Sequence, residues 1–411
     1  MKSVLVPRSL TDLLLLFFVM WFGSYACAYM LTAVDLKPVY SYIAIISIAT
    51  FYLLSHGAAR RNIDILQDRW MRRFLVWLIA YGMFGVLMFL ASSQSEVAVQ
   101  SLVTLIEVSL VAASFLILMF NPRRYSQVRA GFVLLALFCA AMNIFDFISP
   151  TFSNVPGRGA GLYVNPTIAG YMVALAMLGG VESLPKRLRV AFMLACGVGT
   201  LVTFTRSAWI LWGVGVVWLG MRSTALTARR RLLLGTAAFL LGTGAFFSLF
   251  MGDFGAFIAQ TPIAHYLDSN TLSRLGVGAS SISGQSADQR ADVAFFALLS
   301  ATQSPLIGHG IGYTNEWAFP VGPHNMYLLF LVEGGVIGLL LYVALMVVLW
   351  RATLGIGKAI VLQIIIAGFF SHNLLDQPSV VAMMVFGMVH GCMHRRHLRD
   401  LEVPRALAVP A

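Results

Sequence analysis

The chain predicts an all-α fold, that of a polytopic integral membrane protein, on three observations. Its 411 residues are 59% hydrophobic and 11% charged, with a mean hydropathy of +0.82, and a soluble domain could not keep such a surface wetted. About twelve apolar stretches read as transmembrane helices, at 10–31, 39–55, 73–92, 97–120, 128–149, 165–181, 188–204, 207–221, 231–250, 324–350, 357–371 and 377–394. Their lengths scatter around the roughly 20 residues that a bilayer crossing needs. The basic residues also segregate: with residue 1 in the cytoplasm, 23 of the 28 lysines and arginines fall on inner segments, as topogenesis favours.

In chain order, residues 1–250 carry nine helices joined by short loops, and 251–323 form a large, partly helical outer loop. Residues 324–394 hold three more helices, and 395–411 make a basic inner tail. An even number of crossings puts both termini inside. The first apolar stretch lacks a signal-peptidase-like site and reads as an uncleaved span. Segments 55–73, 121–129, 182–189 and 222–231 read as short, basic inner loops. Within the large loop, Ser286 and Gln289 form a capping-box pattern with Asp288 in the first turn. The apolar run Ala291 to Leu299 follows, and Pro305 and Gly308 stop it. The pattern predicts an amphipathic helix over 286–303, lying across the outer mouth.

Topology accounts for the net charge of +11 and the pI near 9.8. The lipid bilayer is therefore an expected partner and nucleic acid is not. All four cysteines (Cys27, Cys139, Cys196 and Cys392) fall in apolar spans, which implies no disulfide framework. No Cys/His cluster has zinc spacing. Neither a metal nor another cofactor is expected.

Topogenesis does not explain Lys37, Arg158, Arg206, Arg274 and Arg290, which fall on outer segments. Arg158, Arg206 and Arg290 belong to three separate elements at one expected depth. A guanidinium grips phosphate bidentately and cannot lose its charge, so such a set complements a diphosphate. Snorkelling to headgroups is the competing reading for each arginine alone. Lys37 is expected to pair locally with Asp35, and Arg274 is a weaker candidate in the long loop. His324, in Gly322-Pro323-His324-Asn325, is expected as the first or second residue of a helix. The positive dipole end there disfavours imidazolium, leaving a neutral ring that either accepts a proton or merely caps the helix.

His372 and Asp376 share another outer connection and are expected to line the same cavity. Glu107 and Glu333 lie inside spans, where an ionisable side chain is a functional candidate by default; a packing role is preferred for Glu107, and a structural role near Gly334-Gly335 for Glu333. Gly308-His309-Gly310-Ile311-Gly312 has no strand before it and no Lys-Ser/Thr after it. It reads as a flexible turn rather than a phosphate loop.

Taken together, Arg158-Gly-Ala-Gly-Leu-Tyr-Val-Asn165-Pro166, Thr205-Arg206-Ser207, Pro305-Leu-Ile-Gly308-His-Gly310 and His324-Asn325 resemble motifs of the O-antigen ligase and polymerase superfamily. His324-Asn325 followed by nine residues, Gly335, two more and Gly338 looks like the ligase signature within it. The resemblance covers roughly 150–345. It implies a GT-C-like helical membrane fold and an inverting, metal-independent glycosyltransferase. Such an enzyme moves O-antigen from undecaprenyl diphosphate to a hydroxyl of lipid A–core oligosaccharide, on the periplasmic face of the bacterial inner membrane. Carried onto this sequence, His324 is the general base, Arg206 and Arg290 hold the donor diphosphate, and Arg158 assists. Asn325, Asn165, Arg274 and His372 become supporting positions. An O-antigen polymerase or a protein O-oligosaccharyltransferase would share this chemistry. An anion transporter is the alternative from a different class, and basic groups at the rim with no visible repeat speak against it.

Overall fold

Polar caps and apolar runs together set the helices of this computed structural model. It describes residues 9–55, 65–221, 285–317, 319 and 322–406, with the backbone alone described at 32, 285–290 and 397–406. The expected span at 231–250 and the loop residues up to 284, Arg274 included, lie outside the described residues. The described residues form helices and no strand.

Ser9 caps α1 (Leu10–Gly23), its side chain accepting from the N–H of Asp12. The helices α2 (Ala26–Val34) and α3 (Pro38–Leu54) follow. The stretch 10–31, expected as one span, is thus broken at Ser24 and Tyr25, where Tyr25 takes a left-handed φ of 65°. Asp68 caps α4 (Arg69–Leu90), Ser95 caps α5 (Glu96–Met119) and Asn121 caps α6 (Pro122–Ile148). Helices α4 and α6 therefore start at Arg69 and Pro122 rather than at the expected 73 and 128, and 122–129 is helix rather than loop. Arginines are good helix formers once a cap satisfies the first N–H groups. The chain continues through α7 (Pro166–Val181), α8 (Lys186–Leu201), α9 (Arg206–Met221), α10 (Gln285–Gln303) and the single turn α11 (Tyr313–Glu316). It ends with α12 (Met326–Ala352), α13 (Ile356–Ala367) and α14 (Pro378–Ala406).

Helix α7 is the axis of the bundle. Every residue in it except Thr167 is buried, as befits a helix apolar on all sides, and α6, α8, α9, α13 and α14 surround it. By length and composition, four described helices (α4, α5, α6 and α12) suffice to cross a membrane, and α1, α3, α7, α9 and α13 are shorter apolar helices. Twelve crossings stay an expectation from the sequence. Helix α10 occupies the expected 286–303 and packs on α12 through Val293, Ala297 and Ala301, spaced by four, against Val332 and Trp317. Phe295, Leu298 and Leu299 on it are exposed. The helix thus carries a second apolar stripe, which departs from a simple amphipathic pattern.

Because successive helices alternate in direction, the bundle has two distinct ends. One gathers the basic starts of α4, α6, α8 and α13 and the basic stretch of α14. It also holds the ion pairs found among the described residues. Arg124 Nε lies 3.0 Å from Asp12 Oδ1, Arg395 Nη2 lies 3.2 Å from Asp68 Oδ2, and Arg129 Nη2 lies 3.3 Å from Glu182 Oε2. The expected pair of Lys37 with Asp35 does not form. Asp35 is the left-handed C-cap of α2 and Lys37 precedes Pro38 at the start of α3. Both are exposed, where a solvated pair gains little.

Candidate active site at the end opposite the ion pairs

Helix α12 is interrupted. At Gly335 the backbone takes φ 61° and ψ −160°, and the segment before α11 fills the break. Val336 N–H donates to Pro305 O (2.8 Å), His309 N–H to Val332 O (3.0 Å) and Gly310 N–H to Glu333 O (3.0 Å). Irregular backbone inside a membrane helix persists only with such partners. A Cβ on Gly335 would sit 2.3 Å from the carbonyl of Leu306, and one on Gly308 2.3 Å from that of Glu333. Gly308, Gly310 and Gly312 take φ of 69°, 98° and 83°. The glycine run is therefore a wedge seated in α12, which corrects its reading as a flexible turn. Glu333 Oε1 accepts from Thr314 N–H (3.1 Å) and Thr314 Oγ1–H (2.6 Å), tying the wedge to the helix.

Asn325, rather than His324, opens α12. Its Oδ1 accepts from the N–H groups of Tyr327 (2.9 Å) and Leu328 (3.1 Å). His324 therefore stands just outside the cap with φ 50°, not in the first turn as expected, because Asn is among the strongest N-caps. A non-glycine residue held in left-handed backbone is strained, and such strain clusters at functional sites. The half-buried His324 ring meets His372 edge-on, with centroids 5.3 Å apart. Gly322 makes room, since a Cβ there would lie 2.6 Å from His372 Nε2. Burial, and then the neighbouring His324, push His372 down to about 4, so it is neutral at neutral pH. Asp376 is pushed up to about 6 by burial. The residue is nonetheless exposed on the wall of a cavity, where solvent moderates that shift.

Arg158 is buried. Its Nε donates to Thr203 O (2.8 Å) and its Nη2 to Thr205 Oγ1, so it ties its loop to the turn that leads into α9. That loop is organised by Asp146, buried near the end of α6. Asp146 Oδ1 accepts from the N–H groups of Thr151 (2.9 Å) and Phe152 (2.7 Å), and Oδ2 from those of Ala160 (2.8 Å) and Gly161 (3.2 Å). Sequence reasoning missed Asp146, although an ionisable residue inside the expected span 128–149 was a usable signal. Arg206 is the exposed first residue of α9. Asn165 caps α7, its Oδ1 accepting from Thr167 N–H at 2.9 Å. Arg290 belongs to α10, but its side chain is outside the described set, as is the whole of Arg274.

Helix register decides which of these groups come together. Helices α9 and α13 pack antiparallel, with Gln363 Nε2 donating to Leu211 O at 2.7 Å. Five residues along from each, Arg206 and Gly368 reach the same end of the pair. Gly368 O in turn accepts from Met326 N–H at 2.8 Å. Arg206, the Arg158 tie, His324 and His372 thus share one end of the bundle, away from the ion pairs. At one end of a bundle, a guanidinium can hold an anionic leaving group while an imidazole takes up a proton. Among the described residues, no group of three or more His, Cys, Asp or Glu converges on a possible metal position.

Residues 191–343 match a model of the family described as O-Antigen ligase. That match supports the O-antigen ligase family. It begins within α8 and ends within α12, so it takes in Arg206, Arg274, Arg290, His324, Asn325 and Gly335 and leaves out Arg158, Asn165 and His372. The family implies a glycosyltransferase-like enzyme of the ligase or polymerase kind, acting on lipid-linked polysaccharide. No curated protein matches the chain.

Proposed function

We propose that this chain is an O-antigen ligase at the periplasmic face of a bacterial inner membrane. It transfers O-antigen from undecaprenyl diphosphate to a hydroxyl of lipid A–core oligosaccharide. His324 removes the proton from the acceptor hydroxyl as its oxygen bonds to the donor's anomeric carbon. Arg206 and Arg290 hold the diphosphate and stabilise its charge as the glycosidic bond breaks. Arg158 acts through the Thr203–Thr205 turn that it ties, setting where Arg206 stands. A single displacement inverts the anomeric centre and needs no carboxylate nucleophile. In this reading a diphosphate whose charge is met by arginines leaves without help from a metal.

The observation that carries the proposal is the register running from Leu211 through Gln363 and Gly368 to Met326, which gives Arg206 and His324 a common end. The family match adds weight to it. Deleting the gene and resolving lipopolysaccharide on a gel tests the assignment. Loss of a ligase leaves lipid A–core bare. Core bearing a single repeat unit would indicate a polymerase instead, and unchanged lipopolysaccharide would contradict both.

A further inference from the structure

We propose that the cavity between α4, α5, α12 and the connection carrying His372 and Asp376 binds a neutral sugar ring of the acceptor, presenting its hydroxyl to His324. This rests on the ligase reading above and assigns one half of the substrate pair to a place.

The cavity measures about 430 Å³, within the roughly 300–1,000 Å³ common for small-molecule sites. Its lining mixes rings with acceptors. Tyr81 and Phe330, 6.0 Å apart between centroids, supply apolar surface for the C–H face of a pyranose. Gln100, Thr104, Glu333 and Asp376 supply amide, hydroxyl and carboxylate groups. No lysine or arginine is among the described residues that line it. An ionised carboxylate only accepts hydrogen bonds, so this lining suits hydroxyl donors and repels phosphate. The lining thus has the opposite polarity to Arg206.

Two groups in the lining have polar capacity that the protein does not fill. His372 Nδ1 is buried without a hydrogen-bond partner. The Asp376 carboxylate belongs to an exposed residue on the wall of the same cavity. Buried polar atoms ordinarily find partners, and an exposed carboxylate on the same cavity wall leaves acceptor capacity for a hydroxyl-bearing ligand. A cation fits less well, because no three His, Cys, Asp or Glu side chains converge among the described residues. Position completes the argument. His372 lines the cavity and its ring touches that of His324, while Arg206 approaches the same end from α9 across α13. Anionic donor and neutral acceptor would then meet the His324–His372 pair from different sides.

The test uses the full chain reconstituted in lipid nanodiscs, with lipid A–core and undecaprenyl-diphosphate-linked glycan varied separately. Gln100→Ala and Asp376→Asn each remove a hydrogen-bond partner, and Thr104→Phe fills the space without touching either. We expect acceptor KM to rise at least about tenfold in each, the scale of one lost hydrogen bond to a polar or charged group, with donor KM within about twofold of wild type. Thermal melting reports whether each variant is folded; should Asp376→Asn fail to fold, the other two variants decide. Unchanged acceptor KM in Gln100→Ala and Thr104→Phe overturns the cavity assignment, as would a rise confined to donor KM. Saturable magnesium binding that Asp376→Asn abolishes would overturn it in favour of a cation site. If the wild type transfers nothing to lipid A–core, the ligase reading itself fails. Wild-type transfer with indifferent variants sinks the cavity alone.

Discussion

The two ends of the bundle are built on opposite principles. At the basic end, arginines of α6 and α14 pair with carboxylates, and the backbone is ordinary: among the described residues only Gly355 has a positive φ there. At the other end, all six described non-glycine residues with positive φ occur, namely Tyr25, Asp35, Gln94, Val164, Phe204 and His324. Helix α12 is also broken there, and the stretch expected as one first span is split into α1 and α2. Ion pairs in regular helices fix position and topology. Strained backbone persists only where surrounding contacts over-determine it, and it is found where side chains must be aimed. The contrast separates what anchors the molecule from what acts.

Substitutions can break or sharpen that contrast. The largest effect belongs to His324→Ala, which should lower transfer about 10²–10⁴-fold, the usual contribution of general base catalysis, in a protein that still folds and inserts. Long-chain product at the normal level from this variant would dismiss the base role. Arg206→Lys keeps the charge and loses the planar fork, so transfer should fall at least about tenfold. An unchanged rate would mean that Arg206 only snorkels. At the other end, Arg124→Ala leaves Asp12 buried. Breaking a buried pair costs about 3–5 kcal/mol, and Arg123, 3.9 Å from Asp12, should hold the loss near the lower bound. Denaturation should register it while turnover per folded molecule stays at wild type; a loss of turnover instead would blur the two ends.

The smallest effect is a pH dependence. Between about pH 4 and 6 the folded state keeps Asp376 protonated and His372 neutral, whereas the unfolded state has Asp376 ionised and His372 protonated. The proton counts of the pair then match in the two states, and its contribution to stability is flat across that window. Replacing His372 by Asn leaves Asp376 alone, so stability should fall as pH rises through the window, because the folded state now binds the extra proton. Replacing Asp376 by Asn leaves His372 alone, and stability should rise with pH up to its unfolded value near 6.5. Solvent access to Asp376 makes its slope the shallower. Glu333 and Tyr81 also line the cavity with Asp376, so the comparison is between variants under matched conditions. Parallel melting curves from both variants would contradict the opposed shifts.

Hydrophobic runs and charge segregation were enough to make the helices legible. Their starts were less so, because Asp68 and Asn121 begin helices with polar turns that an apolar run does not mark. The break at Tyr25 was invisible in a continuous apolar stretch. The spacing from His324 to Gly335 could be read, but not that Gly335 opens α12 to a wedge from Pro305 to Gly312, since the pairing partners lie far along the chain. Asp146 escaped for the same reason: five backbone N–H groups reach it from a loop that no local pattern ties to it. Arg206 and His324 were legible as chemistry, while their common end needed the Gln363–Leu211 register.

What decides the account is where the phosphorus atoms of a bound undecaprenyl-diphosphate donor sit in a structure of the full chain. A cationic grip beside a proton-accepting ring predicts both atoms next to the Arg206 guanidinium, with the anomeric carbon facing His324. A diphosphate lodged among the ion-paired arginines of the other end, or out of reach of that imidazole, would contradict it.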